Sequence, residues 1–140
     1  MKRALIVSSL LLTTWSAALA AQTQPYRVVF DLTSADTLDH RAVLRWIKEI
    51  SAANPKADAI EVVMYGKGLE MVVQGRSTVA DDVALALKNA NVSFLVCQIA
   101  MKNNNVDKSQ LLAGVKTVPD GIYEIFSKQR TGWGYVKVAH

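Results

Sequence analysis

The sequence has one cysteine, Cys97, and only two histidines among its 140 residues. A single cysteine cannot form a disulfide within the chain, and these residues are too few for the usual four-ligand Cys/His zinc site. We therefore predict no metal site. The chain also has no run of basic residues, so we expect no nucleic-acid partner. Disulfide scaffolds, zinc modules and nucleic-acid-binding proteins are thereby excluded.

The apolar content is high enough for one folded domain. The chain is 51% hydrophobic and 20% charged, whereas chains disordered along their whole length combine low hydrophobicity with high net charge. A length of 140 residues suits one compact domain and is short for two. We predict a single domain over residues 21–140.

The first twenty residues have the features of a secretory signal peptide. Lys2 and Arg3 precede an apolar run at 4–12, and residues 18–20 give the small-x-small pattern of a cleavage site. The alternative is an uncleaved anchor, but the strongest apolar part is shorter than the roughly 20 residues of a membrane span. We predict cleavage, export to the periplasm and no stable membrane insertion afterwards. Losing Lys2 and Arg3 leaves 14 basic and 12 acidic side chains, a net charge of +2 instead of +4.

The remaining chain alternates strand-like and helix-like segments. Short stretches rich in β-branched and apolar residues predict five strands, at 26–32, 58–65, 92–96, 115–118 and 135–138. Strands joined by helices of this length form the crossovers of a parallel sheet that is covered by helices on both faces. The predicted fold is α/β, a three-layer α/β/α arrangement with a mainly parallel sheet of about five strands.

Two expectations concern the surfaces of the predicted helices. The last helix begins at residues 119–121, and we expect its buried positions to be Ile122, Ile125 and Phe126. His40 lies in the first turn of the first helix among charged neighbours, where a solvent-exposed histidine is the expected state.

Cys97 is the candidate catalytic residue. It follows the third predicted strand and precedes a helix-compatible segment at 98–102, and reactive groups gather at the carboxyl ends of parallel strands. The amino end of a helix favours the thiolate form of a cysteine placed there. The alternative is a small buried apolar residue, which is the commoner role of a lone cysteine. An unpaired thiol in an exported protein is nevertheless unusual, because it risks oxidation.

Other polar residues follow the first two strands. Asp31 and Asp36 could line the same crevice as Cys97, although carboxylates at such positions more often cap the next helix. Gly66 and Gly68 follow the second strand but lack the other residues of a phosphate-binding loop. We therefore expect a turn there and no organic cofactor.

Three segments in the second half of the chain resemble the DsrE/DsrF-like family. They are FLVCQIAM at 94–101, VPDGIYEI at 118–125 and KQRTGWGYVK at 128–137. The segments VVFDL at 28–32 and EVVMYG at 61–66 match the first two strands of the family. The resemblance therefore covers essentially the whole chain after the predicted leader.

The resemblance implies a small α/β/α protein that forms homo-oligomers, often trimers or hexamers. In the sulfur-relay branch of the family it also implies a sulfur atom carried as a cysteine persulfide, and Cys97 matches the carrier position. Two positions depart from the family pattern: Tyr65 replaces a common histidine, and Ala100 stands where a hydroxyl residue is frequent. Tyr65 therefore joins Asp31 and Asp36 as a candidate crevice residue.

Two hypotheses of function result. In the first, the protein is a sulfur carrier or sulfurtransferase that acts through Cys97 and meets a protein sulfur donor and acceptor. In the second, it is an oligomeric binding or scaffold protein with a non-catalytic cysteine. An exposed thiol facing polar groups favours the first hypothesis, whereas burial under aliphatic side chains favours the second.

Overall fold

A computed structural model describes residues 24–139, so the predicted leader at 1–20 lies outside the described residues. The described chain contains five strands, β1 (Arg27–Leu32), β2 (Ala59–Met64), β3 (Val92–Cys97), β4 (Lys116–Val118) and β5 (Gly134–Lys137). Its four α-helices are α1 (Thr37–Ala52), α2 (Ala80–Ala86), α3 (Gln98–Asn103) and α4 (Gly121–Arg130). Short 3-10 helices lie at Gly68–Val72 and Lys108–Gln110. Within residues 24–139, no helix is both long and apolar enough to cross a membrane.

The five strands form one sheet in the order β4-β3-β2-β1-β5, and every neighbouring pair is parallel. The chain steps in one direction from β1 to β4 and then crosses back to β5 on the far edge. Because parallel crossovers are right-handed, the reversal puts α4 on the face opposite α1, α2 and α3. The predicted three-layer α/β/α fold with a parallel sheet is confirmed.

The face under α1, α2 and α3 carries the larger apolar core. Alternate residues of the three central strands point into it, as expected for a pleated sheet, and the ring of Trp46 on α1 stacks on Phe30 with centroids 6.1 Å apart. The central-strand residues that point into this core are Phe30, Leu32, Ile60, Val62, Met64, Val92, Phe94 and Val96.

The face under α4 carries a smaller apolar cluster of Val29, Val63, Leu95 and Ile125. Trp133 packs at its edge.

Charged groups also hold α4 against its face of the sheet. Lys128 pairs with Glu61 of β2 at 2.9 Å and with Glu124 at 3.4 Å. The Lys128 ammonium and the Arg27 guanidinium lie 4.5 and 5.3 Å from the centroid of the Trp133 ring. The layer that α4 forms is therefore held by mixed polar and apolar contacts.

Two expectations about buried side chains are wrong for α4. Ile125 is buried as expected, but Ile122 is 56% exposed and Phe126 is 51% exposed. The inward stripe of α4 runs through Gly121, Ile125 and Lys128, because Lys128 reaches Glu61 on the sheet. The helix is thereby rotated so that Ile122 and Phe126 face outward.

The expectation of an exposed His40 is also wrong. The side chain is only 3% exposed, and its Nε2 lies 2.9 Å from the carbonyl oxygen of Ser34. The loop before α1 folds over the first turn of the helix, so the imidazole joins a local hydrogen bond instead of facing solvent.

Candidate functional site

The carboxyl ends of β1, β2 and β3 lie at the same edge of the sheet. Each of these ends carries one candidate residue on the face that α4 covers. Asp31 lies near the end of β1, Tyr65 follows β2, and Cys97 ends β3. The registers Asp31↔Val63 and Val63↔Leu95 set these strands side by side. The alternation of side chains then points Asp31, Tyr65 and Cys97 toward α4.

Cys97 sits where the amino ends of two helices approach each other. It is the residue before α3, with φ −66° and ψ 121°, and Gly121, the first residue of α4, packs directly on it. A Cβ atom placed on Gly121 would lie 3.1 Å from Cβ of Cys97, 3.3 Å from Cγ1 of Val63 and 3.5 Å from Cβ of Tyr65. A larger residue at this position would have to push these neighbours back by a few tenths of an ångström.

The amino end of α4 is capped by Asp120. Its Oδ1 accepts hydrogen bonds from the backbone N–H groups of Ile122 at 2.8 Å and Tyr123 at 3.3 Å. The partial positive charge of helix amino ends stabilises negative charge placed near them. The Asp120 carboxylate, which lies at this helix end, offsets part of that positive charge.

The Cys97 side chain is 4% exposed and also packs with the larger apolar core. Its neighbours on the α4 side are Val63, Tyr65 and Gly121. The thiol is therefore largely shielded from solvent in this structure.

A buried carboxylate, Asp31, organises a polar cluster on the same face of the sheet, two strands away from Cys97. Its Oδ2 accepts a hydrogen bond from the Tyr135 hydroxyl at 2.7 Å, and its Oδ1 accepts one from Lys137 Nζ at 3.0 Å. Lys137 also donates to Thr33 Oγ1 at 2.9 Å. Both donors come from β5, where Lys137 is the register partner of Asp31.

Tyr65 connects this cluster to Cys97. The Lys137 ammonium lies 5.7 Å from the centroid of the Tyr65 ring, and the Tyr65 Cβ lies beside Gly121. Burial, the charge of Asp31 and a hydrogen bond to its carboxylate raise the pKa of Tyr65 to about 12. The hydrogen bond to Asp31, followed by burial, raises the pKa of Tyr135 to about 12. Both phenols are therefore protonated hydrogen-bond donors at neutral pH.

Comparison with known proteins identifies the family. A sequence profile described as the DsrE/DsrF-like family matches residues 27–138, which is more than half of the chain. The chain belongs to the DsrE/DsrF-like family. No curated protein matches it.

Two solved structures are similar to this DsrE/DsrF-like chain. A protein of unknown function from Methanobacterium thermoautotrophicum, MTH1491, is 28% identical, with a TM-score of 0.74, 80% of this chain covered and 98% of that chain covered. The YchN protein from E. coli is 11% identical, with a TM-score of 0.62 and the same coverage of 80% and 98%. The likeness to YchN shows the shared fold.

Asp36 of this DsrE/DsrF-like chain lies apart from the other candidate residues. Its exposed carboxylate caps α1 and accepts a hydrogen bond from the backbone N–H of Leu38 at 2.8 Å. Asp31, Tyr65 and Cys97 are the candidates that come together. In the part of the chain that is described, no group of three or more His, Cys, Asp or Glu side chains could hold a metal ion.

Sequence reasoning did not single out Lys137, Thr33 or Gly121 as parts of the site of this DsrE/DsrF-like protein. A signal for Lys137 was present, because Tyr135 and Lys137 are two residues apart in the last predicted strand and must share one face. Which residues contact that face depends on the pairing of β5 with β1. Nothing local in the sequence indicates that pairing.

Proposed function

We propose that the protein is a sulfur carrier that holds a persulfide on Cys97. The observation that carries the proposal is the position of Cys97, which ends β3 and lies against the first residue of α4 in a DsrE/DsrF-like fold. Membership of this family links the chain to sulfur relay. The cysteine is also the only thiol in the sequence.

The chemistry needs no metal or organic cofactor. The Cys97 thiolate attacks the outer sulfur of a donor persulfide, the S–S bond of the donor breaks, and the donor thiolate leaves with the electron pair. An acceptor thiolate then attacks the outer sulfur on Cys97 and releases the Cys97 thiolate. The exchange involves no net oxidation, and a protein donor and a protein acceptor are the proposed partners.

Mass spectrometry of the intact protein tests the proposal. After incubation with a low-molecular-mass persulfide and removal of the excess, we expect the wild-type chain to gain the mass of one sulfur atom. The Cys97→Ser variant, which changes one atom, should gain nothing. Absence of the adduct from the wild type, or an equal adduct on the variant, would refute persulfide carriage.

The second candidate function is an oligomeric binding or scaffold protein with a structural cysteine. The observation that favours it is the 4% exposure of Cys97. The labelling rate of Cys97 by iodoacetamide, compared in the folded protein and in urea, separates the two candidates. A folded-state rate within about tenfold of the unfolded rate favours the carrier, because buried structural cysteines are inert.

We also propose that the protein assembles into a homo-oligomer, a trimer or a hexamer, through the α4 surface, defined by Ile122, Tyr123 and Phe126. These large apolar side chains are exposed, and the rings of Tyr123 and Phe126 have centroids 6.4 Å apart. Contiguous exposed apolar groups are characteristic of interaction sites.

Sedimentation velocity at micromolar concentration tests this assembly. We expect the wild type to sediment as a trimer or hexamer and Phe126→Gln to dissociate. Leu85→Gln on α2, at a similarly exposed apolar residue, is the matched control and should keep the wild-type state. A monomeric wild type would contradict the proposal.

The proposed location is the periplasm, after removal of residues 1–20. The supporting pattern is Lys2 and Arg3 before an apolar run and a small-x-small site at 18–20. Cell fractionation with intact mass measurement should find a chain in the periplasmic fraction that begins at residue 21. A full-length chain in the membrane fraction would support the uncleaved anchor instead.

A further inference from the structure

A groove open to solvent runs between α1 and α2. The two helices are joined near both ends. At one end Oγ1 of Thr37 and Oγ1 of Thr78 lie 3.2 Å apart in a hydrogen bond, and at the other Asn89 Nδ2 donates to Ser51 Oγ at 3.2 Å. The groove between these bridges has a volume of about 640 Å³. Small-molecule sites in proteins have volumes of about 300–1,000 Å³, so the groove is large enough for a small ligand.

Each wall of the groove is one stripe of a helix, because residues three and four apart lie on the same face. On α1 the stripe runs from Arg41 to Ser51, a length of about 15 Å at 1.5 Å per residue. On the other side it runs from Asp82 of α2 to Asn89 in the turn that follows. The groove is therefore elongated, a shape that suits a linear chain.

The floor of the groove is apolar. Ile47 of α1 and Val92 of β3 line it and are 3% and 5% exposed. Leu44 and Ala86 are half-buried beside them, and Leu85 on the α2 wall is 62% exposed. Contiguous exposed apolar groups are characteristic of interaction sites. The groove therefore offers an apolar surface to an alkyl chain.

The rim of the groove is mostly positive. Arg41, Arg45 and Lys48 line it from α1, and among the described lining residues Asp82 is the only acidic one. Arg41 and Asp82 each lie four residues beyond the threonines that join the helices, so their charges offset each other at a similar level. Arg45 and Lys48 lie further along α1. The positive charge that is not offset therefore lies at these two residues.

Both of these cations are available to a ligand. Lys48 is exposed and, within residues 24–139, belongs to no ion pair. Arg45 pairs with Glu49 at 3.7 Å, but the two side chains are 64% and 63% exposed. Exposed pairs of this kind contribute little, so an incoming anion can compete with Glu49. Since Arg45 and Lys48 are three residues apart on a helix, they are neighbours that can bind one anionic group together.

We propose that the groove between α1 and α2 is a binding site for a free single-chain anionic amphiphile, such as a fatty carboxylate. The alkyl chain lies along the apolar floor, and the carboxylate accepts hydrogen bonds from Arg45 and Lys48. The bridges at both ends limit the length of the occupant, which favours a free small molecule over a partner helix or a membrane surface. The site lies in the layer opposite α4 and does not depend on the proposed function of Cys97.

Isothermal titration calorimetry with decanoate, below its micelle concentration and at neutral pH, tests the proposal. We expect one decanoate to bind per chain. Decyltrimethylammonium has the same alkyl chain and a cationic head, so it should bind at least about tenfold more weakly next to two cations. Neutral 1-decanol should have an intermediate affinity. The absence of decanoate binding, or equal affinities for decanoate and decyltrimethylammonium, would overturn the inference.

The position of the carboxylate is tested with Lys48→Met, which removes the cation and keeps most of the side chain. The dissociation constant of decanoate should rise about three- to tenfold, as expected for one charge a few ångströms away near the protein surface, and that of 1-decanol should not change. The matched control is Lys67→Met, at an exposed lysine that does not line the groove, and it should leave both unchanged. Equal effects of Lys48→Met on decanoate and 1-decanol would contradict the role of Lys48.

The position of the alkyl chain is tested with Ala86→Phe, which fills the groove and should abolish the binding of both decanoate and 1-decanol. Ala84→Phe, at an exposed residue of α2 that does not line the groove, should bind both like the wild type. Circular dichroism establishes that each variant is folded. If Ala86→Phe does not fold, Lys48→Met at the exposed rim still decides. Wild-type affinity in a folded Ala86→Phe protein would overturn the inference.

The same variants test two other occupants of the groove. If a second copy of the chain occupied it, Ala86→Phe would change the sedimentation velocity of the protein and Ala84→Phe would not. If a membrane surface occupied it, the wild type would co-sediment with phosphatidylglycerol vesicles and Lys48→Met would not. Either result would assign the groove to that occupant and overturn the inference of a free ligand.

Discussion

The two faces of the sheet differ in how they are covered and in what they contain. Under α1, α2 and α3, the buried strand residues are apolar, and Phe30, Val62 and Phe94 are among those without solvent exposure or nearly so. Under α4, the apolar cluster is small, and the same strands present Asp31 and Glu61. The second face is covered by one helix, whereas the first face is covered by three.

The first face contributes mainly to the stability of the fold, whereas the second face carries the candidate functional groups. Close apolar packing gives the first face its contribution to folding, while the second face holds a buried carboxylate paired with a half-exposed lysine, two phenols and a thiol. Polar groups inside a protein are costly unless each is partnered. Asp31 meets that requirement through Tyr135 and Lys137, which lie on the last strand of the chain.

The largest expected effect is on the apolar face. Phe94 is fully buried, so Phe94→Ala should lower the free energy of unfolding by about 3–5 kcal/mol through lost burial and the cavity it leaves. Urea denaturation followed by circular dichroism measures the change. Leu38→Ala, at an exposed apolar residue of α1, should cost less than about 1 kcal/mol. Equal losses in both variants would contradict the assignment of the core.

The next effect concerns the contact between α4 and Cys97. Gly121→Ala introduces a Cβ 3.1 Å from Cβ of Cys97 and 3.3 Å from Cγ1 of Val63, and this overpacking should cost about 1–3 kcal/mol. The same variant should change the labelling rate of Cys97 by iodoacetamide. Gly134→Ala, where the nearest atom would be Arg27 O at 3.5 Å, should change neither quantity. A more stable Gly121→Ala protein would contradict the predicted overpacking at this contact.

A smaller effect distinguishes the two capping aspartates. Asp36→Ala removes the cap of α1 and Asp120→Ala removes the cap of α4, and each should cost about 1 kcal/mol of unfolding free energy. Because Asp120 caps the helix end that contacts Cys97, only Asp120→Ala should alter the iodoacetamide labelling rate. Equal labelling rates in the two variants would contradict the coupling of the α4 amino end to Cys97.

The smallest effect is a pH dependence of the polar face. Below pH 10 the folded and unfolded chains both keep the phenol protons of Tyr65 and Tyr135. As the pH rises from about 10 to about 12, the unfolded chain releases protons that the folded chain retains, so the free energy of unfolding falls. Urea midpoints measured across this range give the slope.

Variants sharpen this pH prediction. Tyr135→Phe should make the alkaline slope shallower, because it removes one phenol that Asp31 keeps protonated. Val43→Ala, in the apolar core, should lower stability at every pH and leave the slope unchanged. A slope that Tyr135→Phe does not alter would show that its hydroxyl is not held by Asp31.

Much of the fold was predictable because its signals are local. The strand predicted at 26–32 is found at Arg27–Leu32, and the one predicted at 92–96 is found at Val92–Cys97. Runs of β-branched residues between helical segments indicate such strands without knowledge of their partners. The position of Cys97 at a strand-to-helix junction was predictable for the same reason.

The errors lie where a contact from outside the helix decides which side chains are buried. The spacing of α4 alone is compatible with burial of Ile122, but the pairing of Lys128 with Glu61 turns the helix so that Ile122 faces outward. His40 is buried by a loop that folds onto its helix. Helical periodicity describes which residues share a face, and it does not say which face meets the sheet.

The sequence by itself determined the alternation of strands and helices, the parallel α/β class and the placement of the thiol after β3, because these depend on residues near one another in the chain. Only the tertiary structure decided that β5 lies beside β1, which brings Lys137 to Asp31 across 106 residues of sequence. The return of the chain across the whole sheet also set Gly121 on Cys97. Both contacts arise from strand order, which local propensities do not encode.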